Sequence, residues 1–162
     1  MKLFKIIFIS IISILLFSSI FISCSKSSDD GSKSTDNTTS TDTTTTSTWT
    51  KQLGTTSSDY GYSVTTDSSG NIYVTGYTYG DLDGNTSSGG QDIFLVKYNS
   101  SGTKQWTKQL GTTLWDEGHG VTTDSSDNIY VTGYTDGGLD GNTSSGSSDI
   151  IIVKYDSSGT KQ

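Results

Sequence analysis

The sequence predicts an all-β chain made of two copies of one four-stranded antiparallel unit, and three observations carry this. Residues 49–105 and 106–162 align without a gap and are identical at 44 of 57 positions. Within each copy, runs of β-branched and aromatic residues are separated by short Ser/Gly/Asx clusters, the pattern of strands joined by tight turns. There is no proline anywhere to interrupt a ladder. A direct repeat of this length without helical periodicity denotes an array of β units, none of which can bury both its faces alone.

Residues 1–23 read as an export signal. Lys2 and Lys5 precede an almost wholly apolar stretch, residues 6–22, in the order charged region then apolar region. The stretch is long enough to span a bilayer, so an uncleaved anchor is the competing reading. Cys24, the only cysteine, favours cleavage. The run Phe21-Ile22-Ser23-Cys24 resembles a bacterial lipobox, although Phe21 stands where an aliphatic residue is usual. The resemblance implies that Cys24 is lipidated and becomes the new N-terminus. Several acyl chains on one residue would hold the protein stably to a membrane. Ser25 follows the cysteine, which by resemblance to lipoprotein sorting points to the outer membrane or cell surface.

Beyond Cys24, residues 25–48 contain Ser, Thr, Asp, Lys, Asn and Gly and no apolar side chain. Such a segment cannot offset its ordering entropy and is expected to be a disordered tether, with a span of about 25–30 Å. From residue 24 onward the chain has eight lysines, no arginine and seventeen acids, a balance of −9. Nucleic-acid binding needs a basic footprint, so that class is excluded. Cations, neutral glycans and basic partners fit better.

Each repeat holds four strand candidates. They are residues 62–66 (121–123 in the second copy), 71–78 (128–135), 92–98 (149–155) and 104–110, the last matched upstream by residues 49–53. Asp67-Ser68-Ser69-Gly70-Asn71 and Asn99-Ser100-Ser101-Gly102-Thr103 lie between them. An Asx residue opening the turn and a glycine where φ turns positive denote type I hairpins with a bulge. Ile93, Phe94, Leu95 and Val96 are apolar on successive positions, so this strand is expected to be buried on both faces. A four-stranded meander achieves that when neighbouring sheets stack on it, as in the blades of a β-propeller.

The segments Asp67-Ser68-Ser69-Gly70-Asn71-Ile72-Tyr73-Val74-Thr75-Gly76-Tyr77-Thr78 and Gly89-Gly90-Gln91-Asp92-Ile93-Phe94-Leu95-Val96-Lys97-Tyr98, with their second copies, resemble the SBBP repeat of bacterial exported proteins. The resemblance covers residues 49–162. It implies two four-stranded β-propeller-type blades, an incomplete propeller after a disordered tether, and little about activity. Closed propellers have more blades than two. The fourth strand of the second unit is missing while residues 49–53 form an unattached one. The expectations are therefore an open pair of blades, a ring of several chains, or a fragment of a longer protein.

Two constellations could carry chemistry. Asp81, Asp83, Asn85 and Asp92 set oxygen atoms around Gly84, resembling a Ca²⁺ loop. Here the glycine comes at the fourth position and the closing acid is Asp. In the second copy Gly138 replaces Asp81, leaving Asp140, Asn142 and Asp149. The competing reading is a loop whose Asx side chains cap backbone groups. The other constellation is the segment in which five of the thirteen differences between copies crowd, residues 57–63 against 114–120. It is read as a loop before the first strand and offers Tyr60 and Tyr62 in one copy, and Trp115, Asp116, Glu117 and His119 in the other, as ligand-binding candidates. Glu117 and His119 are the only residues of their types. Carboxylate, imidazole and aromatic rings suit either sugar stacking or acid–base chemistry, and the competing reading is a loop tolerant of change. Tyr79, in a loop, joins the stacking candidates, whereas Tyr73 and Tyr130 are read as blade packing. No nucleophile–base pair, phosphate-cradling loop or Cys/His metal set occurs elsewhere, so catalysis is not expected. The sequence thus reads as a lipid-anchored envelope protein displaying a non-catalytic binding or scaffold module for a glycan or protein ligand. The alternatives are a lectin working as a ring oligomer and a truncated piece of a larger propeller protein.

Overall fold

The computed structural model describes residues 48–162. The export signal, Cys24 and the tether as far as residue 47 lie outside the described residues. The fold is all-β, with two antiparallel sheets. The first has strands β1 (Asp59–Thr66), β2 (Ile72–Thr78), β3 (Asp92–Tyr98) and β4 (Lys104–Leu110), in the order β1-β2-β3-β4. The second has β5 (Asp116–Thr123), β6 (Ile129–Thr135) and β7 (Asp149–Tyr155), in the order β5-β6-β7. One short 3₁₀ turn precedes the third strand of each sheet, at Leu82–Gly84 and Leu139–Gly141.

The turns follow from their sequence. Gly70 N–H donates to Asp67 O, and Asp67 Oδ1 accepts from Ser69 and Asn71 N–H. Gly70 adopts φ 77°, and the second copy places Asp127 there at φ 59°, a left-handed conformation that Asp tolerates. The side chain of Tyr73 is fully buried and donates to Asp67 Oδ2 at 2.9 Å. Burial alone would raise the Asp67 carboxyl, but hydrogen bonds from Asn71, Tyr73 and Ser69 outweigh it and hold the group below its ordinary value.

The sheets stack as expected of blades. Tyr73, Ile93 and Leu95 of the first meet Ile129, Val131, Leu139, Ile151, Val153 and Tyr155 of the second, with Trp106, Leu110 and Val121 at the margin. Ile93 and Leu95 are 2% and 1% exposed. Their counterparts in β7, Ile150 and Ile152, are 91% and 74% exposed, because among the described residues no sheet covers that face. The same run of side chains is therefore buried on both sides in one blade and alternates in the other. Neighbouring sheets, and not the strand itself, decide the pattern.

The second sheet has three strands, as the missing fourth strand of the second unit implies: β7 is followed on its outer side only by the single bridge Tyr155–Lys161 and the bond from Gln162 N–H to Lys154 O. Two other expectations change. Residues 49–53 are not a strand. Their side chains instead pack over the first sheet: Leu53 joins the Leu82, Phe94, Val96 and Tyr98 cluster, and the Trp49 ring lies against Gly102. Trp106, with the same five-residue sequence around it, lies against Gly159 in the same way, but there the segment is also paired in β4. A segment becomes a strand only where an edge is available to pair with it. Finally, β1 and β5 begin at Asp59 and Asp116, so most of the segment read as a loop is strand.

Candidate functional site: an aromatic shelf across both sheets

The start of β1 and of β5 is irregular in the same way. Pairing with the neighbouring strand slips between Gly61 and Ser63, and between Gly118 and Gly120, leaving Tyr62 and His119 as the extra, bulged residues. A bulge re-aims a side chain. The partner strand supplies a glycine opposite: a Cβ on Gly76 would stand 1.8 Å from Tyr60 O, and one on Gly133 1.8 Å from Glu117 O. The glycines permit the close backbone approach that the bulge requires.

The result is a continuous aromatic surface. Tyr60 and Tyr62 lie with ring centroids 5.0 and 5.6 Å from Tyr77, and Tyr79 meets the same ring edge-on at 5.7 Å. Across the boundary between sheets, His119 lies 5.0 Å from Tyr62 and 5.6 Å from Tyr134. These separations suit edge-to-face attraction. Glu117 ties the second half together: Oε2 bonds His119 Nε2 and Oε1 accepts from Tyr134 Oη, both at 2.8 Å. Burial, and then the bond to Glu117, push the Tyr134 hydroxyl above its ordinary value, so it remains a donor. Tyr60, Tyr62 and Tyr79 are each about half-exposed, whereas Tyr77 is buried beneath them. The surface is a shelf of ring faces with polar tips, held from below and anchored by one carboxylate.

Of the residues singled out from the sequence, Tyr60, Tyr62, Glu117 and His119 are brought together, on strands and not in a loop. Trp115 and Asp116 are not part of the set. Asp116 is fully buried and accepts from Thr112 N–H (2.6 Å), Thr112 Oγ1 (2.9 Å) and Thr135 Oγ1. It is a latch that holds the incoming segment to β6, as Asp59 does with Thr55 and Thr78 in the first sheet. Trp115 is exposed and lies against Gly90. Tyr77 and Tyr134 complete the shelf and were not singled out. The available signal was the glycine inside Tyr73-Val74-Thr75-Gly76-Tyr77, since a glycine within a strand marks a bulge opposite.

Most oxygens of the set read as a Ca²⁺ loop bond to the protein itself. Asp81 accepts from Ser87 N–H, and Asp83 pairs with Lys104 and accepts from Thr107 Oγ1. Those bonds hold the Asp83 carboxyl below its ordinary value. Asn85 donates to Leu82 O. Buried Asp92 accepts from Ser88 N–H and Gln109 Nε2 through Oδ2, while its Oδ1, beside Gly111, is buried without a hydrogen-bond partner. The second-copy candidates behave likewise, with Asp140 paired to Lys161, Asn142 donating to Leu139 O and Asp149 accepting from Ser145 N–H. Among the described residues, no three His, Cys, Asp or Glu side chains are grouped to hold a metal ion. The capping reading of these Asx residues accounts for their contacts.

Comparison with known proteins agrees with this architecture. The chain is 30% identical to an uncharacterized WD repeat-containing protein of Acanthamoeba polyphaga mimivirus, over 54% of the chain and 8% of that protein. The chain thus spans a small part of this relative's length. Two stretches, residues 48–83 and 105–140, match the model of the SBBP family, a beta-propeller repeat. Each match runs from the Trp49 or Trp106 segment through the first two strands of a blade to the 3₁₀ turn, so both halves of the shelf fall within segments similar to that repeat.

Proposed function

We propose that the chain is a lipid-anchored cell-envelope protein that presents its β-propeller-type blades as a non-catalytic binding module, with the aromatic shelf as its ligand-facing surface and a glycan as its ligand. The observation that carries the reading is the juxtaposition of Tyr60, Tyr62 and Tyr79 with His119 across two sheets. Ring faces with polar edges complement the C–H faces and hydroxyls of a sugar, and they lose little entropy on binding because few torsions are free. Binding is favoured over catalysis because both Glu117 oxygens are committed to His119 and Tyr134. An acidic chain without arginine also suits an uncharged ligand. Membrane attachment rests on the sequence around Cys24 alone, and loss of fatty-acid labelling in Cys24→Ala tests it.

A glycan array probed with the folded chain, alongside Tyr62→Ala, tests the ligand class. Binding to one glycan group that is lost in the variant supports the reading. An array that stays blank with well-folded protein overturns it.

A further inference from the structure

Beside the aromatic shelf stands one more exposed ring, and the residue that links the two is buried with a polar atom unpaired. We infer that Trp115 is a second stacking platform of the same surface, so that the ligand is an oligosaccharide of several units and not a single sugar. This inference rests on the glycan reading and adds the size of the ligand to it.

The path from the shelf to Trp115 is short. Tyr62 meets Tyr77 at 5.6 Å, and Tyr77 meets Tyr79 at 5.7 Å. The Tyr79 hydroxyl accepts from Gln91 Nε2 at 2.6 Å. Gln91 O in turn accepts from Asp116 N–H at 2.8 Å, which fixes the start of β5 against the first blade. Trp115 immediately precedes that bond, and its ring lies over Gly90. Tyr79 and Trp115 are 42% and 54% exposed, whereas Gln91 is 5% exposed. A surface that runs from Tyr62 past Tyr79 to Trp115 is longer than one sugar, whose ring is close in size to one of these rings.

Gln91 gives that surface a polar floor. Its Oε1 is buried and has no hydrogen-bond partner among the described residues. Leaving such an acceptor unpaired is unfavourable. A sugar hydroxyl seated between Tyr79 and Trp115 supplies the missing donor.

The two copies of the repeat show that the loops do not need these side chains. Where the first copy has Tyr79 and Gln91, the second has Asp136 and Ser148, which bond to each other at 2.7 Å. The contact survives with both members exchanged. Where the second copy has Leu114 and Trp115, the first has Ser57 and Ser58. The backbone nevertheless makes the same bond in both, with Trp115 O accepting from Asp136 N–H and Ser58 O from Tyr79 N–H. The indole finds its seat because position 90 is glycine. A Cβ there would stand 2.5 Å from Leu114 O and 2.7 Å from Trp115 Cδ1. The second copy has Ser147 at that position. Tyr79, Gly90, Gln91 and Trp115, all at positions where the copies differ, thus meet at the seam between the blades, the seam that Tyr62 and His119 also share. An exposed indole that its loop can do without, on a seat that admits no side chain, is accounted for by a ligand.

The test is titration calorimetry of the full chain in a Cys24→Ala background. The probes are oligomers of β-1,4-linked N-acetylglucosamine, β-1,4-linked glucose and α-1,4-linked glucose, each from one to six units, and any array ligand at the same lengths. Affinity should rise about tenfold from the shortest binders to those of four units or more, the gain expected of one added stacking contact. Trp115→Ala, with an unchanged circular dichroism spectrum, should remove that rise and leave the shortest binders within about twofold of the wild type. Trp115→Phe should restore most of it, and Gly90→Ser should act as Trp115→Ala does. Tyr62→Ala should lose affinity at every length. Affinity that does not grow with length would overturn the second platform while the shelf stood as a glycan site. So would a Trp115→Ala variant that binds every length as the wild type does, or that is weaker by one factor throughout, and so would wild-type length dependence in Gly90→Ser. Silence from every series and from the array, with well-folded protein, would overturn the glycan reading and this inference together.

Discussion

Tyr62 and His119 hold the same position in the two repeats, each is the bulged residue of its strand, and their rings meet edge-on with centroids 5.0 Å apart. The repeat therefore places one of its thirteen differing positions where the two copies touch. A tyrosine in one copy and a histidine in the other make an unlike pair at a shared surface, which a perfectly duplicated chain would not have.

That pair yields the first prediction. Tyr62→Ala and His119→Ala should each weaken glycan binding, and the double variant should lose less than the sum, because each ring orients the other. A coupling of about 0.5–1.5 kcal/mol is expected for an aromatic pair of this kind. Titration calorimetry of the two single variants and the double variant measures it, and strict additivity would show that the rings bind independently.

Neighbouring residues with different fates give the second. Asp116 is buried with three donors on its carboxylate, whereas Trp115 beside it is exposed. Asp116→Ala strands Thr112 and Thr135 without their acceptor and should destabilise the fold by about 1–3 kcal/mol. Trp115→Ala should change stability by no more than about 0.5 kcal/mol. Urea denaturation of both variants decides between this assignment and one in which Asp116 serves a ligand.

The turn aspartates set an acid limit. Hydrogen bonds, first from the Asn128 side chain, lower the Asp124 carboxyl from 3.8 to about 2 in the folded chain. A depressed folded value means the bonds contribute fully above 3.8 and are lost as pH falls toward about 2. Asp67 shifts in the same direction. Thermal stability should therefore decline across that window, and the double variant Asp67→Asn with Asp124→Asn should decline less steeply. Parallel curves for the variant and the wild type would assign the acid sensitivity to other groups.

Much of this was legible in the chain because the blade is specified locally. The Asp67 turn needs an acceptor to gather Ser69 and Asn71 and a residue tolerant of positive φ at position 70, and both copies have them. What could not be read was anything that depends on a neighbour. Residues 49–53 have the composition of β4 but no edge to pair with, so composition alone misassigned them. Ile150 and Ile152 look as buried as Ile93 and Leu95 until the missing sheet is noticed. The shelf was half found, because variation between copies drew attention to positions 60, 62, 117 and 119. Tyr77 and Tyr134 are identical in both copies and gave no such sign.

The bulge that aims the shelf makes the last prediction, since it treats two paired glycines differently. Gly61 and Gly76 are register partners. A Cβ on Gly61 would meet only Val74 Cγ1 at 3.7 Å, ordinary contact, and its φ is not left-handed. A Cβ on Gly76 would stand 1.8 Å from Tyr60 O, where only a shift of the bulged backbone could relieve it. Gly61→Ala should therefore be neutral or stabilising by about 0.4–1 kcal/mol through the unfolded chain. Gly76→Ala should cost about 1–3 kcal/mol, the range for overpacking, and should also weaken ligand binding by displacing Tyr60 and Tyr62. Chemical denaturation and glycan affinity, read together on both variants, check the link. If Gly76→Ala lost stability yet bound glycan as well as the wild type, the shelf would not depend on the bulge that positions it.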